Sequence, residues 1–445
     1  MGAVPIPTAT TAPKGASIDR YAHPRLAAIY LSEQGVGKFD FIHAFEKVLA
    51  QVQAQFGDIS QEAAVAILES SFDYQEILHG VAHDYNAYLD SVRKGMPAEH
   101  RGALHKNSTS FDGTDTAEAL RKRLSVDILV EDMQESERLL LGLATKHKRT
   151  LKVARTHGVH AKPMYFGIEV LNLCGFVQRA IERMQWARER ISVGKLSGAV
   201  GTYTQDPRIE EEVCRVLGLR PAKISTQILP RDLNADFFHA LVCIAAAYEE
   251  IALQIRLMAI TDILEAAEPF PVGMKGSSAM PHKRNAEKCE QVCGLSGVAR
   301  NYHGAVLERI PTWFQRSLEQ SSSERMGEEV IVMVGYIVQT MNWVLDGLEV
   351  FPQMMLENLG KTRGAIYSEA IKTLLNDKGV DPDTVYYAIQ EAAHRAIFQR
   401  EGDMKSNLLS DPRISSHVTE AELDEVMDPE RELQYADAIY ARFGI

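Results

Sequence analysis

Apolar residues recur at three- and four-residue intervals along the middle of the chain. From Phe166 the series Val170, Leu173, Val177, Ile181, Met184 and Ile191 keeps one face apolar, with no proline after Pro163. That spacing predicts a long helix. Leu233 to Leu264 contains neither glycine nor proline and is apolar on more than one face, the pattern of a helix surrounded by other helices. Similar runs occupy about 116–146, 286–309 and 324–359. Five helices of roughly 25 to 35 residues would each reach roughly 40 to 50 Å at ~1.5 Å per residue. Such lengths predict an elongated all-α bundle. The many-sided apolarity of 233–264 fits association between chains through that bundle, and burial inside one chain would give the same pattern.

Before about Asp115 the helical runs are shorter, and after about Gly360 the chain turns polar, with breakers at Gly379, Pro382, Pro412 and Pro429. The expected organisation is a flexible arm over 1–18, an N-terminal helical domain over 19–114, the long-helix bundle over 115–360 and a C-terminal helical domain over 361–445. No internal repeat of solenoid period is visible.

Composition narrows the function. A chain of 445 residues, 45% apolar and 24% charged, is an ordinary soluble globular sequence long enough for two or three domains. A formal charge of −12 argues against nonspecific nucleic-acid binding, which rests on an excess of Lys and Arg. An anionic ligand must then meet a local cluster of positive charge. Cys174, Cys214, Cys243, Cys289 and Cys293 are odd in number and form no zinc-type CxxC pair, which points to a reducing compartment and a cytoplasmic location. The first 18 residues lack the continuous apolar core of a signal peptide. The most apolar window, 240–260, carries Glu249, Glu250 and Arg256, charges a bilayer-spanning helix would bury at high cost, so no membrane segment is expected.

Chemistry-bearing residues concentrate between the helical runs: "HKNSTSFDGTDT" (105–116), "RTHGVHAKP" (155–163), "GKLSGAVGTYTQDP" (194–207) and "KGSSAMPHKRN" (275–285). Loops on rigid elements are where function usually sits. His157 and His160 lie three apart but lack an acidic or cysteine partner at zinc-site spacing, so no metal site is expected. Cys289 and Cys293, four apart on a helical run, read as small buried hydrophobes. "GAVGTY" has no preceding strand and no βαβ surroundings, which removes a dinucleotide-binding reading. In 275–285 the plain reading is a polar linker. Against it, Ser277 and Ser278 stand close to Lys283, and the loop runs into a helix starting near Asn285. The helix N-terminus and the lysine would supply a positive field, which lowers the cost of ionising a hydroxyl that is otherwise a weak base.

"GSSAMPHKRN" resembles the signature loop of the fumarase/aspartase lyase superfamily, Gly-Ser-Ser-x-Met-Pro-x-Lys-x-Asn. "DRYAHP", "RTHGVHAKP", "GKLSGAVGTY", "STQILPRD" and "RSLEQSSSERM" are similar to segments of the adenylosuccinate lyases, and the likeness runs from about Arg20 to the C-terminus. It implies a fumarase/aspartase-like fold of three helical domains around a central bundle of five long helices. It also implies a homotetramer whose active sites take loops from three chains, with no metal or organic cofactor. The implied activity is a C–N lyase of purine biosynthesis. By anti β-elimination it would release fumarate from adenylosuccinate, giving AMP, and from SAICAR, giving AICAR.

By the same resemblance Ser277 is the base and His157 the acid that protonates the departing nitrogen, a task suited to imidazole because its pKa lies near working pH. His83 acts beside His157, with Asp84 in the same segment, and His105 opens the His-x-x-x-Thr-Ser stretch. Lys283 and Asn285 hold the succinyl carboxylates, helped by Thr109, Ser110 and Ser278. Arg20 and Tyr21 serve the nucleotide, and Arg316, Ser321 and Arg325 its phosphate, for which guanidinium forks are suited. Gln227 and Gln291 contact substrate. Gly273 and Gly276 would act as hinges of a closing loop. Lys195 and Ser197 belong to the pattern without an assigned role. Ala286, Phe111, Ser317 and Gln320 depart from it, Phe111 at a position usually small and polar. A sister lyase or cycloisomerase acting on another succinyl or dicarboxylate substrate is the alternative within this chemistry, and a catalytically silent helical scaffold the alternative outside it.

Overall fold

The structure is a computed structural model that describes residues 19–30, 37–79 and 83–445. The arm expected at 1–18 and the Gln320 side chain lie outside the described residues. The main elements are α1 (Lys38–Gln55), α2 (Asp84–Lys94), α3 (Ser110–Lys146), the strands β1 (Leu151–Thr156) and β2 (Val159–Tyr165), α4 (Phe166–Ile191), α5 (Asp232–Met258), α6 (Glu287–Leu307) and α7 (Glu319–Asp346). All five expected long helices are present, α3 reaching 37 residues or roughly 55 Å.

Three boundaries differ from the periodicity, each for a local reason. The first turn of α3 starts at Ser110 because the Asp112 carboxylate accepts the Thr109 N–H at 2.8 Å while the Asp112 N–H bonds the Thr109 carbonyl, closing a turn ahead of the apolar run. α5 stops at Met258, where the Glu265 N–H returns to the Met258 carbonyl at 2.9 Å. α7 ends at Asp346, since Glu349–Val350 pair with Ala266–Ala267 and Pro352 can only begin a new helix, Pro352–Gly360.

The described residues fall into two compact units. The first holds the residues up to Glu135 together with 177–250 and 291–342; the second holds 136–176, 251–290 and 343–445. Within the first, ion pairs and hydrogen bonds tie the long helices: Arg188 of α4 to Asp127 of α3, Arg190 of α4 to Asp236 of α5, Arg300 of α6 to Glu249 of α5, and Asn342 of α7 to the Asp132 carbonyl of α3. α5 is long and apolar enough by composition to cross a membrane. Phe237, Leu241, Ile244, Tyr248, Ile251 and Ile255 are buried along it, as its apolar faces predict for a helix inside a helical core.

In the second unit the C-terminal helices surround Ile371, Leu375, Val385, Met404, Leu408, Ile414 and Leu423, with Val153 of β1 in the same core. Pro382, Pro412 and Pro429, which read as breakers, occupy the first turns of helices capped by Asp381, Asp411 and Asp428. Proline lacks only an N–H that the first turn leaves unpaired.

α1 and α2 enclose a buried histidine that makes the first unit sensitive to acid. His43 Nδ1 lies 2.8 Å from the Tyr88 hydroxyl and Nε2 2.9 Å from the Ser70 carbonyl. A carbonyl only accepts, so Nε2 carries the proton and Nδ1 accepts from Tyr88. Burial lowers the imidazole pKa to about 4, with nearby Lys47 adding to the effect and the Ser70 bond and Glu46 opposing it. A folded pKa below the unfolded value of 6.5 gives stability that is complete above about pH 6.5 and lost as pH falls toward 4, roughly 3 kcal/mol in all. Asp40, raised to about 6 by burial, works in the opposite sense over part of that window. Comparing urea midpoints of the wild type and His43→Gln from pH 7.5 to 4 cancels the Asp40 contribution. The wild type should lose more stability than the variant; parallel curves would refute the assignment.

Candidate active site

His157 stands at the tip of a β-hairpin, an element absent from the sequence reading, which took 155–163 as a loop. β1 and β2 pair antiparallel with Thr156 opposite Val159, leaving His157 and Gly158 as a two-residue turn. Both have positive φ, 55° and 77°, as the tight turn that matches strand twist requires. The imidazole is exposed at this tip. Its support is buried: Glu265 receives two hydrogen bonds from Arg155, at 2.7 and 3.0 Å, one from Asn358 at 2.8 Å, and an ion pair from Lys152 at 3.2 Å. Burial alone would raise the Glu265 carboxyl; the Arg155 hydrogen bonds and the Lys152 charge outweigh it and hold the pKa below the usual range.

The loop 275–285 is folded on itself. Asn285 Nδ2 donates to the Gly276 carbonyl at 3.1 Å, and the Lys283 N–H to the Met280 carbonyl at 3.0 Å. A Cβ on Gly276 would lie 2.5 Å from the Lys283 carbonyl oxygen, so this glycine is needed for close approach, a different task from the hinge expected of it. Arg284 pairs with Glu349 and lies over the Phe270 ring at 4.8 Å, which pins the loop's C-terminal end.

Ser277 is half-buried, and its Oγ accepts the N–H groups of Met280 at 3.1 Å and Ala279 at 3.4 Å. Ser278, Lys283 and Asn285 are exposed, and no ion pair to Lys283 is found among the described residues. The field expected from the following helix needs correction. Buried Glu268 accepts the Lys288 N–H at 3.1 Å and the Cys289 N–H at 2.6 Å, so the N-terminus of α6 is already capped by a carboxylate. Positive potential at the loop then comes from its own lysines, Lys275 and Lys283, and the two N–H donors at Ser277.

The first unit carries a cleft of about 220 Å³. His83, Asp84, Arg316, Ser321 and Arg325 line it together with Phe111, Lys38, Lys122, Arg231 and Arg309. His83 caps α2, its Nδ1 accepting the Tyr85 N–H at 3.4 Å, which leaves Nε2 as the donor. Asp84 takes a hydrogen bond from Arg325 at 2.8 Å and lies 3.9 Å from Lys38. Most of the acids on the wall are spent on buried arginines: Asp115 and Glu324 on Arg231, Glu118 and Glu328 on Arg121. Burial lowers the Lys38 pKa, against the pull of Glu118 and Asp84.

Besides His157 and the four residues of loop 275–285, seven expected residues do not line this cleft. Gln227 reaches it indirectly, its Oε1 accepting from Arg316 at 3.1 Å. Thr109 and Ser110 precede Phe111 at the start of α3. Tyr21 packs edge-on against Tyr336 at 5.6 Å, and Tyr336 donates to Gln291 at 3.3 Å, while Arg20 is exposed beside Tyr21. His105 is engaged by a carboxylate the sequence reading missed: its Nδ1 lies 2.6 Å from Oε1 of buried Glu46, which also accepts from the Tyr85 hydroxyl at 2.6 Å. Burial would depress the imidazolium, but the Glu46 charge and hydrogen bond outweigh it and raise the His105 pKa.

Lys195 and Ser197, without a role in the sequence, are structural ties. The Lys195 ammonium pairs with Asp112, both fully buried, and Asp112 also accepts from Gly198 at 3.3 Å and Thr109 at 2.8 Å. Ser197 Oγ lies 2.6 Å from Ser225 Oγ, two residues before Gln227. One loop thus fixes the positions of two segments expected to bind substrate.

Comparisons with known proteins agree with the motifs. Residues 38–301 match the family described as Lyase, and residues 364–443 the one described as Adenylosuccinate lyase C-terminus. The chain is 32% identical to adenylosuccinate lyase of Synechocystis sp. and 33% identical to that of Bacillus subtilis, in each case over 96% of this chain and 100% of the relative. It is 34% identical to that of Aquifex aeolicus over 96% and 99%. Among solved structures, a fumarate lyase from Mesorhizobium sp. BNC1 superposes with a TM-score of 0.85 at 24% identity, covering 96% of this chain and 98% of that one. A 3-carboxy-cis,cis-muconate lactonizing enzyme from Pseudomonas putida does so at 0.86 and 23%, covering 96% and 97%. These two likenesses establish the all-α fold shared with fumarate lyases. With its signature loop in place and its whole length matched at this identity, the chain belongs to the adenylosuccinate lyase family.

Proposed function

We propose that this chain is a C–N lyase that releases fumarate from adenylosuccinate, leaving AMP, and from SAICAR, leaving AICAR. The observation that carries the reading is the folded loop 275–285, in which Ser277 Oγ accepts two backbone N–H groups in the same segment as Lys283, which has no ion pair among the described residues. Hydrogen bonds to the charged form favour it, so an alkoxide at Ser277 costs less than at exposed Ser278.

The reaction removes a proton from the carbon next to a carboxylate and breaks the C–N bond on the opposite face. Ser277 takes the proton. The electron pair spreads into the adjacent carboxylate, where Lys283 and the donors of Asn285, Ser278, Thr109 and Ser110 stabilise the added charge. As the pair moves on to form the double bond of fumarate, nitrogen leaves and takes a proton from His157, whose exposed place on a rigid hairpin suits a group that must meet substrate and reload from water. His83, with Nε2 as donor, and His105, whose charged form Glu46 favours, assist at the succinyl group. Arg20, Tyr21, Asp84, Arg316, Ser321 and Arg325 receive the nucleotide, with Gln227 and Gln291 as amide contacts. No cofactor, nucleic acid or membrane takes part.

The proposal includes a cytoplasmic homotetramer with sites shared between chains, and the domain division 19–114, 115–360 and 361–445. Exposed Leu253, Leu257 and Ile260 on and just after α5, and Val298, Leu307 and Ile310 on and just after α6, supply apolar surface for such contacts. All five cysteines are free, which suits a reducing compartment.

Turnover decides the reading. The purified chain should convert adenylosuccinate to AMP and fumarate, followed by loss of the succinyl-adenine absorbance, and should leave argininosuccinate and aspartate untouched. Turnover of either of those without adenylosuccinate would overturn it in favour of a sister lyase.

A further inference from the structure

Phe111 departs from the family pattern, and the structure gives the departure a task. The ring is 9% exposed and sits at the second residue of α3, on the wall of the cleft. The Arg316 guanidinium carbon lies 3.7 Å from its centroid and that of Arg231 6.0 Å. These two cations differ in freedom. Arg231 is buried and held by Asp115, at 3.0 and 3.2 Å, and by Glu324 at 2.8 Å. Arg316 is half-buried and has one side-chain hydrogen bond among the described residues, to Gln227. Among the described residues no carboxylate lies within ion-pair distance of it; Asp115 and Glu324, both committed to Arg231, act on it only from longer range.

We propose that Phe111 is a specificity-determining residue: its ring face, in place of an acidic partner, holds Arg316 in the cleft without a direct ion pair and with most of its N–H fork available to a phosphate. A carboxylate there would position the arginine equally well but would cancel the charge that recognises the ligand. A stacked ring positions it through the π-face while leaving the donors in the guanidinium plane unused. Locked Arg231 is a second, more distant cation at the same ring. The inference rests on the proposed function, which assigns Arg316 to the nucleotide phosphate.

The test is a double-mutant cycle on Phe111 and Arg316, read by calorimetric titration with AMP and with adenosine, which lacks the phosphate. Phe111→Leu keeps an apolar side chain without the π-face and should weaken AMP about three- to thirty-fold with no matching change for adenosine. Phe111→Tyr restores the ring and should restore AMP affinity. In an Arg316→Met background Phe111→Leu should have no further effect on AMP. Equal weakening of AMP and adenosine, or an effect that persists in that background, would show a simple wall residue and overturn the inference. If Arg316→Met weakens AMP while Phe111→Leu does not, this inference fails and the proposed function stands. If Arg316→Met leaves AMP binding intact, the phosphate assignment fails and takes the inference with it.

Discussion

Ser277→Ala should lower kcat for adenylosuccinate by roughly 10²–10⁴-fold, the span associated with loss of a positioned general base, in a protein that still folds and binds AMP. The loop should survive the change because other contacts hold it: Arg284 on Glu349, the Asn285 amide on the Gly276 carbonyl, and the Lys283 N–H on the Met280 carbonyl. Only the two N–H donors at Oγ lose their acceptor, and both lie in an exposed stretch where water can replace it. Ser278→Ala, which removes an exposed hydroxyl without those donors, should cost less. The measurement is kcat and KM for both variants beside AMP affinity, since a base acts on kcat and a phosphate contact on affinity. Near-normal turnover in Ser277→Ala would refute the base assignment. His157→Ala should be comparably impaired, and mixing it with Ser277→Ala under subunit exchange should restore part of the activity if sites are shared between chains.

What could be read in advance follows from how local each feature is. Ser277, Lys283 and Asn285 lie in one uninterrupted segment, so their grouping could be read without a fold. The long helices were legible because 3/4 spacing persists over many turns; their ends were not, since α5 is closed by Glu265 folding back on Met258 and α7 by the pairing of 349–350 with 266–267, about eighty residues away in the chain. The hairpin under His157 was missed because its strands have 6 and 7 residues and its turn is His-Gly, a weaker signal than Asn-Gly. The supporting carboxylates were also hidden. Glu46, Asp112 and Glu265 act on partners 59, 83 and 110 residues away, and in the sequence each reads as one more surface charge. Glu268 cancelled an expectation built on the N-terminus of α6, because an uncapped helix end was assumed. Phe111 was visible as an oddity, and its meaning required Arg316 to be placed on it by the fold.

Lys195→Met should destabilise the first unit by about 3–5 kcal/mol, the cost of breaking a buried ion pair so that one charge remains without a partner. Lys195 and Asp112 have no exposed side-chain surface, and the remaining contacts of Asp112 are the neutral N–H groups of Thr109 and Gly198, which cannot replace a full charge. The double variant Lys195→Met with Asp112→Asn removes both charges and keeps an oxygen for one of those donors, so it should regain a large part of the loss. Urea unfolding at one fixed protein concentration reads both, since assembly would otherwise contribute to the apparent stability. A loss under about 1 kcal/mol for Lys195→Met would mean that water reaches the pair. The same variants also test site geometry, because a buried Asp112 carboxylate left without Lys195 is drawn toward water and away from the Thr109 N–H it accepts, whereas a neutral asparagine can stay and keep its oxygen on that donor. The double variant should therefore bind fumarate more nearly like the wild type than Lys195→Met does, at a temperature where all three are folded. Failure of fumarate affinity to recover alongside stability would show that the lysine's charge, and not the position of Thr109 and Ser110, is what the succinyl end requires.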